Sequence, residues 1–301
     1  MAFVDGPVTV EVPATSANLG PGYDCLGLAL ELSDTLVGEV LGSGLEVTVE
    51  GEGADVVRDE SHLVVRAMRA AFELMGEQPP GLRLTCANRI PHSRGMGSSS
   101  AAIVGGIVLA RALVADGAAM LDDQAALLLA NRLEGHPDNV APALLGGFVI
   151  CGQAGEVVWA QQVPVDPSIS AVVLVPPYGV RTDLARGLLP ETVPHAEAAA
   201  NAGRAALLVA ALGGETTMLL RATEDFLHQR QREPAMPESI ALLADLRSQG
   251  VPAVVSGAGP TVLALIAAGV TPDADEVDSL APNGWQTSTQ SVGGPGARVL
   301  I

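Results

Sequence analysis

The feature that most constrains how this chain can fold is a run of two glycines and four serines, three of them consecutive, Pro91-His92-Ser93-Arg94-Gly95-Met96-Gly97-Ser98-Ser99-Ser100-Ala101. It lies between an alternating strand signal at Leu82, Leu84 and Cys86 and a long apolar helical stretch. Glycine lets the backbone turn its N–H groups to one side. A helix start adds unpaired N–H donors and the positive end of a dipole. A strand, loop and helix of this make read as a cradle for phosphate. Taken alone, the run is also an ordinary Gly/Ser turn with a serine N-cap.

The basic residues narrow the choice, because all 16 are arginine. A Walker A loop needs Gly-Lys-Ser/Thr, and a protein kinase needs its strand lysine, so both are excluded, as is Schiff-base chemistry. The serines also miss the Gly-x-Ser-x-Gly pattern of a hydrolase elbow. A formal net charge of −18 repels phosphate backbones and argues against a nucleic-acid partner. It also leaves any bound nucleotide dependent on local donors and a metal ion.

Aromatic residues make up 3% of the chain and hydrophobic residues 48%, so a folded core must be built from Ala, Val, Leu and Ile. Stacking platforms for single-stranded nucleic acid are not expected. The 301 residues suffice for two domains. The longest apolar stretch, residues 101–115, is interrupted by Arg111, so no membrane span is expected. The start of the chain lacks a basic segment followed by an apolar one, which predicts a soluble cytoplasmic protein. Cys25, Cys86 and Cys151 are odd in number and widely spaced, as befits reduced thiols that fill the core.

Alternation at Val8, Val10 and Val12 and at Leu45, Val47 and Val49 predicts early strands. Between them and the strand at Leu82, apolar residues from Leu63 to Met75 recur at helical spacing and stop at Gly76. Helices are predicted after the serines and over residues 122–133, and a hairpin from Phe148–Ile150 and Val157–Trp159. Beyond Pro164 the pattern predicts a buried strand over residues 171–175 and helices over residues 196–212, 216–228 and 239–249. Strands are expected at residues 253–255, 262–266 and 298–301. Strands and helices mixed without strict βαβ alternation predict an α+β fold.

Two further segments give the loop a context. Pro13-Ala14-Thr15-Ser16-Ala17-Asn18-Leu19-Gly20-Pro21-Gly22-Tyr23-Asp24 lies near the start, and Val255-Ser256-Gly257-Ala258-Gly259-Pro260-Thr261 near the end. With the 91–101 loop, in this order, they resemble the three motifs of the GHMP kinase superfamily, which phosphorylates small-molecule alcohols with ATP. Glu134-Gly135-His136-Pro137-Asp138-Asn139-Val140-Ala141-Pro142 and the arginine-bearing stretches 181–190 and 227–232 make the chain most similar to the branch that acts on L-homoserine.

The resemblance implies two α+β domains with the site between them. Residues 1–163 would form a strand-rich N-terminal domain with the nucleotide loop, and residues 164–301 a ferredoxin-like C-terminal domain. It implies ATP and Mg²⁺ as cofactors, L-homoserine as partner, and a homodimer. The nucleotide would lie on Pro91, Ser93, Arg94, Gly95, Met96, Gly97, Ser98, Ser99, Ser100 and Ala101, with Mg²⁺ on Ser98 and Glu134; hard oxygen ligands suit that ion. Arg186 and Arg232 are candidates for the substrate carboxylate, since a guanidinium fork pairs with it bidentately. Asp24 would meet the ammonium and Asn18 the hydroxyl, with His136, Asn139 and Thr182 lining the same pocket.

No lysine stands beside Asp24, so the Asp-Lys base pair of some superfamily members is impossible here. Asp24 either accepts the hydroxyl proton itself or only positions the substrate while the proton leaves to the phosphate. The third motif has no ionisable side chain and reads as a place of close backbone packing. Arg89 and Arg94 flank the loop and either offset nucleotide charge or stay solvated. Where family members often carry Asn-Leu-Val beside the adenine pocket, this chain has Ser61-His62-Leu63-Val64, which leaves the adenine contacts of His62 open.

Overall fold

The computed structural model describes residues 2–300. The first part of the chain forms β1 (Val8–Ala17), β2 (Leu26–Leu41), β3 (Gly44–Gly51), α1 (Leu63–Met75), β4 (Gly81–Asn88), α2 (Ser98–Ala112), α3 (Gly117–Met120), α4 (Asp123–Glu134), α5 (Pro137–Leu145), β5 (Phe148–Ala154) and β6 (Val157–Val163). The remainder forms β7 (Ile169–Val175), α6 (Thr182–Gly187), α7 (His195–Leu212), α8 (Leu219–Ala222), α9 (Pro237–Ser248), β8 (Ala253–Val255), β9 (Val262–Ala267), α10 (Ala274–Asp278), β10 (Gln286–Ser291) and β11 (Arg298–Leu300).

Two sheets organise these elements. The larger runs β11-β1-β2-β4-β3, and β2 also pairs β5, which pairs β6. Among the described residues only β3 and β4 are parallel, joined by the crossover helix α1; the other pairs are antiparallel. The smaller sheet, β10-β7-β9-β8, is antiparallel throughout. Both faces of its centre are covered. Ala171, Val173, Leu263 and Leu265 join the core of the larger sheet, while Val172, Leu174, Val262 and Ala264 pack with Leu242 and Leu246 of α9. Cover on both faces is why β7 and β9 read as unbroken apolar runs.

Helix α2 passes between the larger sheet and α1. A Cβ on Gly105 would lie 2.5 Å from a Leu36 methyl, and one on Gly106 would lie 2.7 Å from the Val64 carbonyl. The glycine pair therefore sets how closely the sheet and α1 approach this helix. Its first turn is thereby fixed at the junction of both sheets.

Most expected elements are present, including α1 ended by Gly76 in the left-handed region (φ 99°) and α4 capped by the Asp122 carboxylate on Ala125 N–H at 2.8 Å. The terminal strand is seen at Arg298–Leu300; Ile301 lies outside the described residues. The helix expected over residues 216–228 is a correction. It breaks into a 3-10 turn at Thr216–Met218 and the short α8, because the Asp225 carboxylate captures the backbone N–H groups of Leu227, His228 and Gln229. A side chain that satisfies these donors locally competes with the helix ladder. The chain then enters a second 3-10 turn, Arg230–Ala235. Among the described residues no helix is long and apolar enough to cross a membrane.

Candidate active site

At the start of α2, Ala101 N–H donates to Gly97 O at 2.8 Å, the first bond of the helix ladder. The amides of Ser98, Ser99 and Ser100 precede that ladder and face the requirement of an outside acceptor. Gly95 (φ 74°) and Gly97 (φ 69°) turn the loop, and neither tolerates a side chain. A Cβ on Gly95 would lie 2.2 Å from Ser256 O, and one on Gly97 2.0 Å from Thr15 Oγ1.

The three distant motifs are thus one structure. Thr15 N–H donates to Met96 O at 3.1 Å and Gly257 N–H to Ala17 O at 3.1 Å. The Ser256 hydroxyl lies 2.6 Å from Gly95 O, and the Asn18 amide donates to Gly257 O at 2.8 Å.

Around this junction lies a polar chamber of about 320 Å³. Gly135, in the left-handed region (φ 98°), ends α4 at Glu134, and Pro137 starts α5 at once, so the turn presents Glu134, His136, Asp138 and Asn139 together. Glu134 Oε1 accepts from the hydroxyls of Ser99 (2.7 Å) and Ser100 (2.8 Å), while Ser98 lines the chamber beside it. His136 Nδ1 lies 2.8 Å from Asp138, which is buried. Burial pulls this imidazole down, but the hydrogen bond and charge of Asp138, with Glu134, carry it above its ordinary value. Thr182 and Arg186, one helical turn apart on α6, share its inner face.

The two arginines are held differently. Arg186 closes its fork on Asp24, with contacts of 2.7 and 3.1 Å, and donates to the Tyr23 hydroxyl at 2.8 Å. Arg232 is 1% exposed, yet among the described residues no carboxylate lies within ion-pair distance of it. Its Nη1 donates to Gly257 O at 2.9 Å and meets His228 Nδ1 at 3.0 Å; its buried Nε has no partner among the described residues. A guanidinium in that position needs an anion to offset its desolvation.

A second chamber, also about 320 Å³ but mostly apolar, adjoins the first and shares Ser93, Ser98 and Ser99 with it. Val12, Leu36, Val56, Leu63, Val64 and Ala101 line it, and two of its polar residues, Asp34 and His62, are buried. Asp34 accepts from the backbone N–H groups of Arg89 (2.6 Å) and Ile90 (2.9 Å), and burial raises its carboxyl above the usual range. His62 is buried with Nδ1 unpartnered among the described residues, and burial lowers its imidazole.

Of the residues expected to form a site, Asn18, Ser93, Gly95, Gly97, Ser98, Ser99, Glu134, His136, Asn139, Thr182, Arg186 and Arg232 line the polar chamber. Asp24 stands behind Arg186, and Ser100 behind Glu134. Met96 is buried in the core, Ala101 faces the apolar chamber, and Pro91 lines neither chamber. Arg94 spends its guanidinium on the carbonyls of His92, Pro176 and Pro177, tying the loop to the segment after β7. Asp138, Tyr23 and His228 stand inside the motif stretches with no separate signal of their own, and Asp34 lies in no motif.

Among the described residues no group of three or more His, Cys, Asp or Glu side chains is arranged to hold a metal. Glu134 with the neighbouring serine hydroxyls is a hard-oxygen set with one carboxylate. Such a set suits an ion that takes its remaining ligands from phosphate oxygens and water.

The model of the GHMP kinases N terminal domain matches residues 62–147. Homoserine kinase of Streptomyces avermitilis is 56% identical over 300 residues, covering 99% of this chain and 97% of the relative. That of Streptomyces coelicolor is also 56% identical, covering 99% and 96%. The crystal structure of homoserine kinase from Cytophaga hutchinsonii is 24% identical and superposes with a TM-score of 0.83, covering 100% of this chain and 99% of that one.

Proposed function

The chain belongs to the homoserine kinase family, phosphotransferases of the GHMP fold that move a phosphoryl group from ATP to the terminal hydroxyl of L-homoserine in threonine biosynthesis, and from that premise we propose how its two chambers divide the substrates. The nucleobase enters the apolar chamber and the triphosphate lies over the start of α2, on the free amides of Ser98, Ser99 and Ser100. L-Homoserine enters the polar chamber.

The observation that carries this reading is Arg232, buried, charged and, among the described residues, without a carboxylate partner in the wall of that chamber. The α-carboxylate of the acceptor supplies the missing anion. The neighbouring Asp24–Arg186 pair presents opposite charges side by side, as an α-amino acid presents their complement, so the ammonium meets Asp24 and Arg186 shares the carboxylate. Both Asp24 oxygens are engaged by Arg186. This supports a positioning role for Asp24, with the hydroxyl proton leaving to the phosphate, and Asn18 orients the hydroxyl.

Phosphoryl transfer asks for in-line positioning and charge stabilisation more than for covalent chemistry. Ser98 and Glu134 would hold Mg²⁺ against the phosphates, and the chemistry such an ion supplies is neutralisation of charge on their oxygens. A cytoplasmic homodimer, implied by the family resemblance, belongs to the same reading, and sedimentation equilibrium tests the dimer.

Arg232→Ala decides the acceptor assignment. Removing one partner of a buried charge pair costs about 2–5 kcal/mol, so the KM for homoserine is expected to rise about 10²-fold while that for ATP stays near wild type. Equal weakening of both substrates, or no acceptor-dependent turnover in a coupled assay of homoserine, mevalonate and galactose against buffer, counts against it.

A further inference from the structure

Behind Arg232 lies a histidine to which the phosphoryl-transfer scheme gives no task. His228 is fully buried; its Nε2 is 2.7 Å from Gly20 O and its Nδ1 is 3.0 Å from Arg232 Nη1. A carbonyl only accepts and a guanidinium only donates. The two contacts therefore fix the tautomer, with the proton on Nε2 and a lone pair on Nδ1, and the ring is neutral. Burial lowers this imidazole, the nearby Asp225 opposes that, and Arg232 adds to it, leaving it below its ordinary value.

The acceptors on Arg232 share one property. His228 Nδ1 and Gly257 O both orient Nη1, and both are uncharged. The Tyr23 ring, 5.7 Å from the guanidinium carbon and 5.2 Å from the imidazole, packs against both. Arg186, which also packs on the Tyr23 ring, is closed by a carboxylate. One guanidinium is thus neutralised within the protein and the other is only oriented. A carboxylate at position 228 would aim Arg232 equally well and cancel the charge it offers to the cleft.

We propose that His228 is a positioning residue, a neutral hydrogen-bond acceptor that aims Arg232 into the polar chamber while leaving its full charge for the carboxylate of the amino-acid acceptor. The proposal rests on the assignment of Arg232 to that carboxylate. It separates two jobs of the ring: Nε2 ties the turn after β1 through Gly20, and Nδ1 sets Arg232.

Two amides separate those jobs, since the Asn oxygen stands near the Nδ1 position and the Gln amide nitrogen near Nε2. Full-length wild type, His228→Asn, His228→Gln, Arg232→Ala and the Gln/Ala double variant are compared by initial-rate kinetics in both substrates. His228→Gln is expected to raise the KM for homoserine about 10-fold or more, with kcat and the KM for ATP changing less than about 3-fold, whereas His228→Asn stays within about 3-fold of wild type. On the Arg232→Ala background the Gln substitution adds nothing.

His228→Asn as damaging as His228→Gln, or loss shared equally by both substrates, overturns the proposal in favour of packing. Arg232→Ala with an unchanged KM for homoserine overturns the carboxylate assignment and this proposal with it. If Arg232→Ala raises that KM and His228→Gln does not, only the role of His228 falls. Should His228→Gln fail to fold, His228→Asp against His228→Asn decides, with melting temperatures as the check on folding. The two place a charged and a neutral oxygen at one position, and equal homoserine KM values overturn the proposal.

Discussion

A carboxylate whose two oxygens both accept from one guanidinium is fixed in place as half of an ion pair. Asp24 is in that position, held by Arg186 at 2.7 and 3.1 Å. Asp24→Asn keeps the shape and removes the charge that would meet an ammonium, so its cost is expected mainly in the KM for homoserine. A general base would lose about 10²–10⁴ in kcat instead, and the split of kcat from KM in Asp24→Asn separates the two. At this scale the sequence was legible where chemistry comes in motifs, as at Asn18, Glu134 and Arg232, which resemblance located and the fold gathers into one cleft. It was illegible where a side chain's partner is backbone. Nothing in the stretch around Arg94 announces that its guanidinium is taken up by three carbonyls, two of them more than 80 residues away.

The phosphate loop acts through an element rather than a residue. Gly97 is the N-cap of α2, at φ 69°, and an added Cβ would lie 2.0 Å from Thr15 Oγ1 and 3.1 Å from Asn139 Oδ1. Gly97→Ala would therefore move the first turn of α2 against β1 and α5 together. A misplacement of about 1 Å costs about 10²-fold in rate where positioning is the catalysis, so kcat/KM for ATP is expected to fall by that order. A Gly97→Ala enzyme with wild-type kcat/KM for ATP would remove this loop from the nucleotide site. Helices α1 and α4 were readable because one periodicity or one cap dominates each, and α2 because a long apolar run follows the serines. Strand β2 was not, because residues 26–30 are covered on both faces and lose the alternation that residues 34–38 still show. Strand β10, Gln-Thr-Ser-Thr-Gln-Ser at a sheet edge, has no apolar signal at all. The broken helix at residues 216–228 is the most consequential miss. Had it continued straight, the segment carrying His228 and Arg232 would not turn into the cleft.

On the scale of the molecule, the long-range field and the local site pull in opposite directions. A chain of net charge −18 repels ATP at a distance, while helix amides and Arg232 attract anions only nearby. Salt screens the first more than the second. The Debye length falls from about 30 Å at 0.01 M to about 10 Å at 0.1 M, and groups buried in a cleft are screened much less. Raising tetramethylammonium chloride over that range at fixed Mg²⁺ is therefore expected to increase kcat/KM for ATP. L-Homoserine carries no net charge at neutral pH, so its KM should stay flat across the same series. A fall in kcat/KM for ATP with salt would mean that the arginines about the cleft set the field outside it as well. That would also contradict the structure, in which Arg186 is closed by Asp24 and Arg94 is tied to backbone carbonyls, leaving Arg232 to act within the chamber.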